Sequence, residues 1–246
     1  MLAGKNVVIT GSGRGIGRAI VEEMLRNGAN VWACARTQSS EFESWLESLA
    51  GKYGTWAKAV YFELGNTESM AEGLRSILDQ KEKIDILVNN AGQTSVALML
   101  ETSLSDMREI FEVNYFSQIY ISQKISKRML RSKSGCIVNM VSAQALSPEP
   151  GRLAYASSKA AFALATKVMA KELAPFGIRV NAVAPGAVKT DLLTNYPDKG
   201  LERYIHESLA GRPALPQEIA NVVVFLASDA SSFMNGQIVQ VDGGRI

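Results

Sequence analysis

The chain has 246 residues, 47% of them hydrophobic and 20% charged, with a formal charge of +2. This is an ordinary soluble globular composition with ample material for a core, and its interspersed charges exclude nucleic acid or an acidic membrane as the expected main partner. The length fits one large α/β domain better than two small ones.

The opening stretch MLAGKNVVITG enters an apolar run without the charged and then apolar regions of a secretory signal. No apolar run reaches the roughly 18 residues of a membrane span, so a cytoplasmic location is expected. Taken in chain order, KNVVIT (5–10), NVWACA (30–35), AVYFEL (59–64), IDILVN (84–89), CIVNMVS (136–142), IRVNAVA (178–184) and QIVQVD (237–242) read as seven strands. Most are near-continuous Val/Ile runs, the pattern of a sheet covered on both faces. Amphipathic segments at 16–27, 67–81, 104–131 and 156–174 lie between them and read as helices. The alternation predicts an α/β fold: a doubly wound parallel sheet of about seven strands with helices on both faces, Rossmann-like and a single domain over 1–246. Cys34 and Cys136 each sit at or inside an apolar run, which reads as reduced, buried thiols rather than a disulfide. From about 186 to 215 the rhythm breaks into a polar stretch punctuated by Pro and Gly, carrying the single histidine, His206. A substrate lid and a plain surface excursion both fit it.

The first strand runs into TGSGRGIGRAI, which puts Gly11, Gly13, Gly15 and Gly17 between a strand and a helix. Glycines there let the backbone approach a pyrophosphate closely, and the helix N-terminus supplies free N–H groups, although a bare tight turn can also use glycine. The second strand ends in WACARTQSS, with Arg36 and no acid before Glu41. A carboxylate at that point suits the ribose 2′-OH of NAD; a guanidinium suits the 2′-phosphate of NADP. Arg14, in the glycine turn, is a second candidate for that phosphate, and two solvated arginines are the plain alternative. Tyr155 and Lys159, in YASSK, stand four residues apart and so share one helix face, which alone is most often an ordinary packing or surface pair. One histidine and no close Cys/His/Asp grouping leave no metal site to expect. A Ser–His–Asp hydrolase would have to use His206, far from any nucleophile elbow.

TGSGRGIG (10–17), NNAG (89–92), Asn114, Ser142, YASSK (155–159), VNAVAPGAVKT (180–190) and VDGG (241–244) occur in this order, and together they resemble the short-chain dehydrogenase/reductase family over essentially the whole chain. Within it, the chain looks most like the 3-oxoacyl-acyl carrier protein reductases and relatives acting on other carbonyls. The resemblance implies Ser142, Tyr155, Lys159 and Asn114 as the catalytic residues, with Asn114 holding a water that links Lys159 to solvent. It implies a phosphate-binding turn at Gly11, Ser12, Arg14, Gly15, Ile16 and Gly17, with adenosine contacts from Asn90, Ala91 and Gly92. Pro185, Gly186, Val188 and Thr190 would border the nicotinamide. Many members carry Asp–Val where this chain has Glu63–Leu64, so the adenine contact there is one methylene longer. Ser117 is compatible with the Gly or Ser the family often shows at that point.

The chemistry implied suits these residue types. Reducing a ketone needs a hydride at carbon and a proton at oxygen; the cofactor, NADP(H), supplies the first and the protein manages the second. An unperturbed tyrosine has a pKa of about 10, and an ammonium such as Lys159 would lower it. Ser142 would position and polarise the substrate oxygen. Gln93, Ser142, Gln144, Arg152 and Tyr155 are the expected substrate contacts. The resemblance implies a 3-oxoacyl thioester, carried on acyl carrier protein, as the first expectation for the small carbonyl substrate; a polar ketone, sugar or polyol is the alternative, which Gln144, Glu149 and Arg152 in the loop after Ser142 would suit. Lys124, Lys127, Arg128, Arg131 and Lys133 could dock an acidic carrier, or simply complement a helix C-terminus. A dinucleotide-binding sensor without turnover is the alternative of another class, though it would not need Tyr155 and Lys159. Family members are usually tetramers, so a homotetramer is expected.

Overall fold

The computed structural model describes residues 1–191 and 208–244. Seven strands form one sheet among them: β1 (Asn6–Thr10), β2 (Asn30–Ala35), β3 (Ala57–Tyr61), β4 (Ile86–Asn89), β5 (Gly135–Met140), β6 (Ile178–Pro185) and β7 (Ile238–Val241). Their order is β3-β2-β1-β4-β5-β6-β7 and every pairing is parallel. The chain winds outward from β1 to β3, then returns to the other side of β1 at β4. The two halves therefore diverge between β1 and β4, which opens a crevice at the strands' C-terminal ends.

The helices are α1 (Gly15–Arg26), α2 (Ser40–Tyr53), α3 (Thr67–Leu78), α4 (Leu104–Phe111), α5 (Ser117–Ser132), α6 (Leu153–Leu173) and α7 (Pro216–Ala227). Alternation along the strands divides them between two layers. Val7, Ile9, Val31, Ala33 and Val138 face Ile20, Met24, Phe42, Leu46, Ile219 and Val223 from α1, α2 and α7. Val8, Trp32, Leu87 and Ile137 face Leu74, Ile77, Ile121, Ile125 and Met129 from α3 and α5, and Ala170 of α6 joins this second layer. Both faces being covered explains why all five residues of β1 are buried and why the strand reads as an unbroken apolar run.

Two expected elements differ in detail, and one helix is additional. The third strand ends at Tyr61, so Glu63 and Leu64 lie beyond it in the turn leading to α3. The helix read as continuous over 104–131 is interrupted by a π-helical turn, Glu112–Phe116, that contains Asn114. Helix α2 has weak apolar periodicity and was not expected; its ends carry the signal, with Ser39 accepting from Phe42 N and Gly54 in the left-handed region at φ 66°. Most of the expected lid, including His206, lies outside the described residues. Its flanks are held together: Lys189 N donates to Ala214 O and Ala214 N to Ala187 O, each at 2.8 Å.

Cys34 and Cys136 are free, buried thiols, both pushed upward in pKa by desolvation, Cys136 to about 11. No described helix is long and apolar enough to cross a membrane.

A buried polar chain crosses the sheet beneath the crevice. Asn89 Nδ2 donates to Ser122 Oγ and to Asn139 Oδ1, both at 2.8 Å, and Asn139 Nδ2 donates to Thr166 Oγ1 at 2.9 Å. It ties β4 and β5 to α5 and α6. Truncating its centre strips partners from two buried groups, so Asn139→Ala is expected to cost about 2 kcal/mol in urea unfolding. A loss below ~0.5 kcal/mol would show that the chain is not a structural tie.

Candidate active site

The glycine turn is shaped by the absence of side chains. A Cβ on Gly11 (φ +68°) would lie 2.7 Å from Ala91 Cα, and one on Gly17 would lie 1.9 Å from Gly11 O. These contacts press the turn after β1 against the segment after β4. Thr10 Oγ1 accepts from Asn90 N and Ala91 N, and Asn90 Nδ2 donates to Thr10 O and Gly11 O, all at 3.0 Å. Asn90, expected beside the adenosine, thus spends its amide on the turn itself. Thr10 belonged to the motif without being singled out; its position between two facing strand ends is what gives it a role.

The crevice is about 1340 Å³ and runs from Arg14, Gly15, Ile16, Arg36, Glu63 and Thr190, the last beside Gly15, to Ser142, Gln144, Tyr155 and Lys159. That exceeds the roughly 300–1,000 Å³ of a common small-molecule pocket and accommodates a dinucleotide and a substrate end to end. Gly92, Leu64, Pro185, Gly186 and Val188 also line it. Ser12 does not; it is fully buried, its Oγ bonded to Ile9 O at 2.9 Å, and it shapes the turn from behind. Arg36 is exposed on the crevice wall. Arg14, largely exposed, makes an ion pair with Asp191 at 3.4 Å. These residues fit a 2′-phosphorylated dinucleotide: bare backbone and the start of α1 for the pyrophosphate, guanidinium groups where a ribose-binding carboxylate would otherwise stand.

Asn114 is fully buried. Its Oδ1 accepts from Gln93 N, and its Nδ2 donates to Gln93 O, both at 2.9 Å, and to Ser158 Oγ at 3.0 Å. Ser158 Oγ in turn donates to Tyr155 O at 2.7 Å, linking Asn114 to the turn of α6 that carries the tyrosine. Gly92 sits where there is no space for more: a Cβ would lie 3.0 Å from Asn114 Oδ1 and 3.2 Å from Lys159 Nζ. Asn114 and Lys159 therefore border the same point.

Ser142, at the end of β5, accepts from Gln144 N at 3.2 Å and is buried like Gln144 itself. Gln93 Nε2 donates to Glu109 Oε1 at 3.0 Å on the crevice wall. Arg152, expected to meet substrate, is buried and turned toward the loop after β4, donating to Thr94 Oγ1 and Ser95 O at 3.1 and 3.2 Å. It stands one helical turn before Tyr155 and acts on it by charge. Burial pushes the Tyr155 phenol above its ordinary pKa, while the Ser142 hydroxyl and then the Arg152 charge pull it back. Lys159 was expected to do that lowering; here its Nζ donates to Met140 O at 2.8 Å, and burial holds its own pKa down at about 8. In the basic stretch, Arg128 is spent on the carbonyls of Lys81 and Glu82, and Lys124 lies over the Tyr120 ring. Among the described residues no His/Cys/Asp/Glu group is arranged to hold a metal.

A family model described as enoyl-(acyl carrier protein) reductase matches residues 11–245. The chain is 37% identical over 243 residues to the 3-oxoacyl-[acyl-carrier-protein] reductase of Aquifex aeolicus, covering 99% of this chain and 98% of that one. It is 36% identical to the Chlamydia pneumoniae protein of the same name, at 99% and 97% coverage. Among solved structures it resembles the 3-oxoacyl-[acyl-carrier protein] reductase of Brucella melitensis, with TM-score 0.91, 29% identity and coverage of 99% and 92%. A candidate NAD(P)-dependent gluconate 5-dehydrogenase from Beutenbergia cavernae, with NADP bound at low occupancy, gives TM-score 0.91 and 37% identity at 98% and 96% coverage.

The lowered pKa of Lys159 has a signed consequence for stability. A buried ammonium that gives up its proton near pH 8 weighs against the fold at lower pH, and the penalty fades as pH rises from about 8 towards 10.5. Without cofactor, Lys159→Met is therefore expected to be more stable than wild type by a constant margin below about pH 8, and that margin should shrink above it. Denaturant unfolding at several pH values measures this; an equal margin at both extremes would contradict it.

Proposed function

The chain belongs to the short-chain dehydrogenase/reductase family, and from that premise we propose that it is an NADPH-dependent reductase of a 3-oxoacyl thioester carried on acyl carrier protein. It is an oxidoreductase acting on C=O and CH–OH groups. The observation that carries the reading is the convergence of Ser142, Tyr155 and Lys159 at one end of a crevice whose other end suits NADP.

Bound in the crevice, NADPH supplies the hydride. The glycine turn and the start of α1 hold its pyrophosphate, Arg36 and Arg14 its 2′-phosphate, and the Pro185–Thr190 segment its nicotinamide end. Arg14, whose partner Asp191 is solvent-exposed, would be available to the more highly charged phosphate. Ser142 donates to the substrate carbonyl and fixes it beside Tyr155. The phenol, held protonated by burial, passes its proton to the carbonyl oxygen as the alcohol forms. The phenolate left behind is stabilised by the positive charges of Lys159 and Arg152 and regains its proton through the path bordered by Asn114.

The thioester reading rests on the full-length similarity to 3-oxoacyl-[acyl-carrier-protein] reductases from several bacteria. A polar ketone or polyol is the second reading, favoured by the amide side chains Gln93 and Gln144 on the crevice wall. A homotetramer in the cytoplasm fits both; Leu164 and Val168 of α6 are 66% and 47% exposed, apolar surface that subunit contact would cover.

NADPH oxidation with acetoacetyl thioesters, beside polar ketones and polyols, separates the two substrates, the thioester being expected to give the higher kcat/KM. Tyr155→Phe should reduce the rate at least ~10²-fold, and a rate equal to wild type would sink the mechanism. Arg36→Asp should lower the NADPH/NADH preference by at least ~10-fold, the worth of a charge-assisted hydrogen bond. An unchanged ratio would remove Arg36 from the 2′-phosphate site.

A further inference from the structure

One buried polar side chain next to the site is not used by the chemistry above. Gln118, in the first turn of α5, is 1% exposed. Its Nε2 donates to Ala91 O at 3.0 Å and to Val113 O at 3.2 Å. Both neighbours are carbonyls, so the amide nitrogen has to face them. Its Oε1 is buried with no hydrogen-bond partner among the described residues. An apolar residue of the same size would avoid that cost, so the two donors must serve something.

Each bond lands on a backbone point that controls the site. In the π-helical turn Ser117 N reaches back five residues to Glu112 O. The carbonyl next after it in the turn, Val113 O, receives the Gln118 side chain. Ala91 O lies at the start of the segment that Asn114 grips through both backbone groups of Gln93. Between Ala91 and Gln93 stands Gly92, packed against Asn114 Oδ1 and Lys159 Nζ without room for a Cβ.

We propose that Gln118 is a positioning residue: by joining Val113 O to Ala91 O it sets the π-helical turn so that Asn114 holds residues 91–93 against Lys159. Gln118 and Asn114 clamp the segment on either side of Gly92, and the lysine's place in the proton path depends on both. The inference rests on the roles given above to Asn114 and Lys159, but its first test does not require turnover.

In Gln118→Met, which keeps the size and loses the donors, hydrogen exchange should quicken at least ~10-fold at residues 91–93 while β1 stays unchanged. The kcat should fall about tenfold with substrate KM within about twofold, since ground-state binding is untouched. In Gln118→Glu the buried carboxyl has a raised pKa and can donate only when protonated. A protonated carboxyl has one O–H for the two carbonyls, so the kcat of this variant relative to wild type should recover in part between about pH 8 and about pH 6, with no such recovery in Gln118→Met. Unaltered exchange at 91–93, or equal acceleration there and in β1, overturns the proposal. So does a Gln118→Glu profile parallel to that of Gln118→Met. A wild-type protein inactive on every ketone would sink the functional reading, and the exchange measurement would still decide the role of Gln118.

Discussion

A Cβ on Gly11 or Gly17 would not fit where the turn after β1 meets the segment after β4. The backbone after β1 touches the backbone after β4 at Gly11 and Ala91, Gly17 lies on the carbonyl of Gly11, and Gly92 lies on Asn114 and Lys159. The crevice owes its shape to this close approach. Bare backbone there leaves the start of α1 open to a phosphate group, and it brings the segment after β4 within reach of the helix that carries Lys159. The doubly wound topology makes the approach unavoidable, since β1 and β4 are neighbours whose chains leave in opposite directions. Glycine is what lets the site use that neighbourhood instead of merely filling it.

The rest of the site is assembled from buried polar groups tied between segments by hydrogen bonds. Asn114 is completely enclosed, and its amide is matched by the two backbone groups of Gln93 and by Ser158. A second buried chain, Asn89 to Asn139 to Thr166, crosses from β4 to α6. An unpaired buried amide costs about 1–3 kcal/mol, so such a network is held in one arrangement wherever its partners are complete. The same rigidity fixes Lys159, whose ammonium meets the carbonyl of Met140 at the end of β5.

Electrostatically the site is poised rather than fully charged. Burial raises Tyr155 and lowers Lys159, so each leans toward its neutral form. A protonated phenol is the form that can give a proton to a carbonyl. The positive charge of Arg152, held in place by Thr94 and Ser95, offsets part of the burial penalty on the phenolate. Arg152, expected among the substrate contacts, is buried and donates to Thr94 and Ser95 on the loop after β4.

The near-continuous apolar strands, the glycine turn and the Tyr155–Lys159 spacing were legible because they are local: strand burial, turn sterics and helix period are each written within about ten residues. Helix α2 was passed over because its signal sits in its caps rather than in its periodicity. The sequence by itself determined the sheet class, the glycine turn of the cofactor cradle and the placing of Tyr155 and Lys159 one turn apart on a helix. Only the tertiary structure decided that the Asn90 amide bonds to the turn, that Arg152 reaches Thr94 and Ser95, and that Gln118 bonds to Ala91 O and Val113 O. Those assignments depend on hydrogen bonds between segments tens of residues apart in the chain, and no spacing along one segment records where another carbonyl will lie.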